Sequence, residues 1–139
     1  MAWITPKTDW TATDYYNAAD LNRVENNTSY IKDLLALLGY YAATTAFNTT
    51  RTRESIVYYD NINAVENNIK ALKDCSYEPL GWITPVVTWV SVYSAFSYTD
   101  ANRLESNLAN LKLMAERIED AMLFCGAPTT ICGRGSTLF

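Results

Sequence analysis

The 139-residue chain contains no histidine, and this absence bears directly on what the protein can do. Histidine is the commonest general base in enzymes, the usual partner of a nucleophilic serine or cysteine, and the commonest metal ligand. The sequence therefore argues against histidine-based catalysis and against a histidine metal site. We expect a protein that is not an enzyme and that uses no cofactor.

Cysteine is also scarce, and the basic residues are too few and too dispersed to form a positive face. Cys75, Cys125 and Cys132 are an odd set without CxxC spacing, which indicates neither a closed disulfide framework nor a zinc site. The 11 Lys and Arg residues are outnumbered by 15 Asp and Glu residues, giving a net charge of −4. Nucleic-acid binding needs a concentrated positive face, so we expect no nucleic-acid partner.

Long apolar runs are missing as well. No run approaches the ~20 residues that a membrane-spanning helix needs. The opening MAWITPKTDW has neither the basic and apolar regions nor the cleavage site of a secretory signal. We expect reduced thiols, synthesis in the cytoplasm and no membrane partner.

What the chain does contain is one polar phrase in three copies. DLNRVENN at 20–27 is followed by NINAVENN at 61–68 and DANRLESN at 100–107. The spacings between equivalent asparagines are 63 − 22 = 41 and 102 − 63 = 39 residues. A period near 40 is typical of one recurring supersecondary unit.

The first and third copies agree beyond this phrase. Both units contain WITP, at 3–6 and 82–85, with a second tryptophan seven positions after the first, whereas the middle unit lacks WITP. We divide the chain into a first unit at 1–39, a degenerate middle unit at 40–75, a third unit at 76–125 and a C-terminal arm at 126–139.

Apolar residues follow each phrase with helical spacing. Leu21, Val24, Thr28, Ile31 and Leu35 are separated by steps of 3, 4, 3 and 4, and the other copies follow the same rule. This is the a/d pattern of helices that pack along one seam. It predicts a mainly α fold, a three-helix bundle or coiled-coil-like repeat, with helices at 17–38, 57–75 and 97–124.

The helix starts have capping-box sequences. Asn17 and Asp20 form one such pair and Ser97 and Asp100 the other, each preceded by an aromatic residue. Gly39 predicts the end of the first helix. Gly126, followed closely by a proline, predicts the end of the third.

The repeated phrase has two interpretations. With Leu21 at a and Val24 at d, its polar residues flank the seam without entering it. They either dock the aromatic segment that precedes each helix, which is a structural role, or bind a ligand. The candidate residues of the repeat, besides the capping pairs, are Asn22, Glu25, Asn27, Asn63, Glu66, Asn68, Asn102, Glu105 and Asn107.

The connections at 40–56 and 76–96 are longer than ordinary antiparallel helices require. PVVTWVSVYSAF at 85–96 has the composition of a strand, while AATTAFNTTRTR at 42–53 is typical of a loop with room for a short strand. Such lengths allow parallel as well as antiparallel helices.

The first 35 residues resemble small structural proteins from the tail and late-morphogenesis regions of bacteriophages and prophages of Gram-positive hosts. Those proteins share W-x-T-P-K-T-D-W followed by Y/F-N-x-x-D-x-N-R-x-x-N-N. The matching residues are Trp3, Thr5, Pro6, Lys7, Thr8, Asp9, Trp10, Tyr16, Asn17, Asp20, Asn22, Arg23, Asn26 and Asn27. Residues 82–107 match more loosely.

The resemblance implies a virion component of the tail, baseplate or fibre, which associates with itself, a trimer being favoured, and with other virion proteins. The alternative is a small receptor- or glycan-binding module of the phage tail. Candidate interface residues are Trp10, Trp89, Tyr93, Leu138 and Phe139.

Overall fold

In the computed structural model, the described residues are 2–54, 59–84 and 96–124. They form three α-helices: α1 at Ala18–Leu37, α2 at Tyr59–Cys75 and α3 at Tyr98–Phe124. The predicted mainly helical fold is confirmed, and no helix end differs from its predicted position by more than two residues. Within the described ranges no residue belongs to a β-strand.

The a/d residues of the three helices form one shared core. Val24, Ile31 and Leu35 from α1 are fully buried and belong to one cluster with apolar residues from the other two helices. Burial of one such side chain contributes about 1.5–3 kcal/mol. The other core members are Leu21, Leu34, Val65, Ile69, Leu72, Leu104, Leu108, Leu111 and Ala115.

All three helices point in the same direction. Tyr16 and Phe96, which precede α1 and α3, have ring centroids 5.1 Å apart, so these two helices start at the same end. Tyr40 and Tyr77, which follow α1 and α2, have centroids 5.9 Å apart, so these two helices finish at the same end. Parallel helices explain the long connections, because the chain must travel back along the bundle before each new helix.

The end of α1 follows its prediction. Gly39 has φ +95°, and its N–H donates to Ala36 O at 3.1 Å while the Tyr40 N–H donates to Leu35 O at 2.9 Å. This pair of bonds is the Schellman motif, which favours glycine at the left-handed position. The predicted helix stop at Gly126, the C-terminal arm at 126–139 and most of the predicted strand at 85–96 lie outside the described residues.

Extended parts of the chain before each helix lie in grooves between the helices. We name three of them segment 1 (residues 2–10), segment 2 (residues 43–51) and segment 3 (residues 82–84). None has regular secondary structure, so their backbone N–H and C=O groups need partners outside a helix or a sheet.

Among the helices of the described residues, none combines the length and the apolar character that a membrane span requires.

Candidate functional site

The polar residues of the repeat provide those partners. A position in α1 corresponds to a position 41 residues later in α2 (63 − 22 = 41) and 80 residues later in α3 (102 − 22 = 80). Equivalent asparagines therefore lie at the same level of the three parallel helices. This register allows the three copies to be compared contact by contact.

The asparagine that ends each phrase holds one residue of the preceding segment by its backbone. Asn27 Oδ1 accepts the Ile4 N–H at 2.9 Å, and its Nδ2 donates to the Ile4 carbonyl at 2.7 Å. We call this two-bond arrangement an amide clasp. Equivalent clasps join Asn68 to Thr45 (2.9 and 3.4 Å) and Asn107 to Ile83 (2.9 and 2.8 Å). All three asparagines are buried.

The asparagine at the third position of the phrase forms a second clasp, on the segment of a different unit. Asn102 of α3 holds Trp10 of segment 1, with bonds of 2.8 and 3.0 Å. Asn22 of α1 holds Arg51 of segment 2, with bonds of 3.1 and 2.9 Å. Asn63 is the equivalent residue on α2.

Each of the first two segments is thus fixed to two helices at once. Segment 1 is held by α1 at Ile4 and by α3 at Trp10, and these residues are 10 − 4 = 6 positions apart. Segment 2 is held by α2 at Thr45 and by α1 at Arg51, again 51 − 45 = 6 positions apart. The clasps contact backbone atoms, so their chemistry is that of scaffold assembly.

The glutamates of the repeat accept hydrogen bonds from cations across the helix interfaces. Glu105 is fully buried and accepts from Arg23 Nε at 2.6 Å, from Arg23 Nη2 at 2.7 Å and from Trp10 Nε1 at 2.9 Å. The hydrogen bond with Glu105 raises the pKa of Arg23 above its usual value. Glu66 pairs with Arg103 in the same bidentate manner. Such pairing offsets the cost of burying each charge.

The third glutamate, Glu25, pairs with an arginine that lies in segment 2 and not on a helix. Positions 23 and 103 are arginine, but the equivalent position on α2 is Ala64. Glu25 instead pairs with Arg51 and accepts the Asn48 N–H at 3.1 Å. Arg51 is the segment 2 residue that corresponds to Trp10, so a segment side chain supplies the cation that α2 lacks.

Three lysines complete the repeat, and the sequence prediction missed them. Lys32, Lys73 and Lys112 are equivalent, since 32 + 41 = 73 and 32 + 80 = 112. Each places its Nζ near an aromatic ring: Lys32 at 5.8 Å from Phe47, Lys73 at 5.4 Å from Trp82 and Lys112 at 5.2 Å from Trp3. The signal is a lysine ten residues after the asparagine at the third position of each phrase, Asn22, Asn63 or Asn102.

The capping residues also lie inside this network. Asp20 accepts the Asn17 N–H at 2.7 Å and pairs with Arg23 at 3.0 Å. Asp100 accepts the Ser97 N–H at 3.0 Å, and the Ser97 hydroxyl lies 3.0 Å from the same carboxylate oxygen. The carboxylates therefore connect the helix starts to the buried ion pairs.

The candidate interface residues have different positions. Trp10 is only 6% exposed, and its indole packs 5.1 Å from Tyr16 inside the groove between α1 and α3, so it is not a surface residue. Trp89, Tyr93, Leu138 and Phe139 lie outside the described residues.

The described surface includes an open cleft of about 350 Å³ at the starting end of α1 and α3. Residues 10–16 form one wall and residues 96–101 the other. Tyr15 and Tyr98 are its most exposed aromatic residues, at 86% and 43%. No set of three or more Cys, Asp or Glu residues in the described ranges is arranged to hold a metal ion.

Comparison of the chain with protein-family models, with curated proteins and with solved structures finds no match.

Proposed function

We propose that the protein is a structural component of a bacteriophage virion, in the tail, baseplate or fibre. It acts by associating with copies of itself, with a trimer favoured, and by docking to other virion proteins. One observation carries the proposal: the residues that resemble phage structural proteins are those that hold the chain together. Asn22 and Asn27 form clasps, and Arg23 and Trp10 share Glu105.

The surface supports a docking role. At the finishing end of α1 and α2, Tyr40 and Tyr77 are in contact, and large apolar side chains near them in the chain are exposed. These are Leu37 at 83%, Tyr41 at 78% and Leu80 at 86%. Exposed large aromatic and apolar side chains are typical of a protein interface.

The test is the content and shape of purified particles. We expect mass spectrometry of gradient-purified virions to detect the chain. Deletion of its gene should yield particles with missing or misshapen tail parts by negative-stain electron microscopy. Complementation with wild-type protein should restore them, whereas Tyr41→Ser with Leu80→Ser should restore them less well. Normal particles that lack the protein would overturn the proposal.

The cleft between residues 10–16 and 96–101 favours a second candidate function, a receptor- or glycan-binding module. Exposed tyrosines beside the Asp14 carboxylate are groups that stack on sugar rings and accept hydrogen bonds from hydroxyls. Calorimetric titration with host cell-wall glycans tests this candidate. Binding that Tyr98→Ala abolishes would support it, and no binding at millimolar glycan would remove it.

A further inference from the structure

Segment 1 is joined to the bundle on its C-terminal side by a short connection to α1. Segment 2 and segment 3 each run between two helices, whereas segment 1 precedes α1 and joins it through residues 11–17. Its hold on α3 is wholly non-covalent, and the contacts join residues 92 and 95 positions apart in sequence. The groove of another copy therefore presents the same partners to segment 1.

The connection itself is lightly held. One turn shapes it, in which the Asp14 N–H donates to Thr11 O at 3.1 Å and the Thr11 N–H donates to Asp14 Oδ2 at 2.9 Å. Residues 11–15 are exposed, and the cleft of about 350 Å³ lies beside them. Straightening the connection disrupts this turn and leaves the core contacts of the helices in place.

The grooves also accept unlike sequences. Segment 1 contains WITPKTDW and segment 2 contains TTAFNTTR, yet both are clasped at two residues six positions apart. Because the asparagine amides bind backbone atoms, they do not discriminate a segment of the same chain from one of a neighbouring chain.

We propose that the groove between α1 and α3 accepts segment 1 of a second copy, and that exchange of this segment joins copies of the protein. The inference rests on the self-association in the proposed function and names its contact. The closed and exchanged forms make the same clasps. The balance between them is therefore set by the connection and by the surfaces that meet around it, where Tyr15 and Tyr98 are exposed.

Shortening the connection tests the exchange. Deletion of Ala12 and Thr13 removes the tip of the turn and about 7 Å of reach. The shorter connection disrupts the Thr11–Asp14 turn and disfavours the return of segment 1 to its own groove. We expect light scattering to show an oligomer in place of the monomer, with helical circular dichroism retained. The length-matched control, Ala12→Gly with Thr13→Gly, should keep the wild-type distribution. A shortened chain that stays monomeric overturns the inference.

A second variant shows whether the oligomer uses the clasp. In the shortened chain, Asn102→Ala should raise the dissociation constant about tenfold, the effect of losing two hydrogen bonds. Asn107→Ala is the matched control, since it removes the clasp that holds Ile83 within one chain. An oligomer that is indifferent to Asn102→Ala, or equally sensitive to both changes, overturns the exchange.

The wild-type chain should form the same oligomer at high concentration, and a chain that is monomeric at every concentration would overturn the inference. The particle experiment stands apart from these measurements. If the protein is present in virions and the shortened chain is monomeric, the exchange fails and the structural role stands. If exchange occurs in a protein absent from virions, the proposed function fails.

Discussion

Arg51 supplies the cation for Glu25 that the α2 helix, with Ala64 at the position equivalent to Arg23, does not supply. In two of the three copies the helix itself supplies the arginine for a neighbouring glutamate, as Arg23 does for Glu105. The α2 helix has Ala64 at that position, and Arg51 of segment 2 pairs with Glu25 instead. Both members of this pair are largely buried, with side chains 7% and 5% exposed. The middle unit is therefore degenerate in sequence yet retains the charge balance.

Removal of Arg51 should leave a buried carboxylate without its cation. We expect Arg51→Ala to lower the free energy of unfolding by about 3–5 kcal/mol in urea denaturation. Adding Ala64→Arg in the same chain should recover part of the loss, because position 64 is equivalent to Arg23 and Arg103. Lys70→Ala, at an exposed pair, should change stability by less than about 0.5 kcal/mol. If Arg51→Ala and the double variant lost the same free energy of unfolding, an arginine at position 64 would not replace Arg51.

The buried hydroxyl of Tyr16 lowers the stability of the fold. Its hydroxyl is buried and has no hydrogen-bond partner among the described residues, and burial raises its pKa above the usual value. A raised folded-state pKa means that the unfolded chain loses this proton first. This difference in pKa contributes to the free energy of unfolding below about pH 10, and the contribution is lost as the pH rises further.

Tyr16→Phe should therefore stabilise the protein by about 1 kcal/mol at neutral pH, because an unsatisfied buried hydroxyl is removed. Its unfolding free energy should also fall less steeply than that of the wild type between about pH 10 and 12. Tyr15→Phe makes the same chemical change at an exposed ring and should leave the free energy of unfolding at neutral pH close to that of the wild type. A destabilised Tyr16→Phe chain would show that the hydroxyl has a partner.

At the scale of the element, the helices could be predicted because their signals are local. The 3-4 spacing, the capping pairs and Gly39 all lie within the segment that folds, and the a/d residues are those found in the core. The direction of the helices could not be predicted in this way. It depends on the route of the connecting segments, and that route is fixed by clasps between residues up to 92 positions apart.

The core assignment of α3 gives a direct comparison on one helix. Leu108 is fully buried in the seam, whereas Leu113 of the same helix is 46% exposed. Leu108→Ala should cost about 2–5 kcal/mol, the usual cost of a cavity at a core leucine. Leu113→Ala should cost less than about 1 kcal/mol in the same thermal or urea unfolding experiment. Similar costs at both positions would place the seam elsewhere.

At the scale of the whole molecule, the same residue types recur because each helix meets the same surroundings. Every described clasp pairs an asparagine with an extended segment in a groove between two helices. The repeat in the sequence predicts these asparagines, with docking as one of their two roles. Their partners could not be predicted, since Trp10 and Ile4 are bound by different helices. Trp10, a candidate interface residue in the sequence, is buried in the groove between α1 and α3.

Trp10 therefore tests whether the three helices unfold as one unit. It joins segment 1 to α3 through Asn102 and Glu105, and it packs on Tyr16 before α1. Trp10→Ala should cost about 3–5 kcal/mol. Because α2 packs on both other helices, its central amides should lose hydrogen-exchange protection by the same factor as those of α1 and α3.

The matched control for this experiment is Ile4→Ala in the same segment. The Ile4 side chain is 45% exposed, and its clasp uses only backbone atoms, so protection should stay close to that of the wild type. A Trp10→Ala chain that loses protection in α1 and α3 while α2 keeps it would contradict a single cooperative unit. The parallel bundle would then consist of a stable α2 region and a separable pair of helices closed by segment 1. An equal loss of protection in all three helices would instead mean that the buried indole of Trp10 stabilises them together. Its glutamate partner, Glu105, is 95 positions away in the sequence.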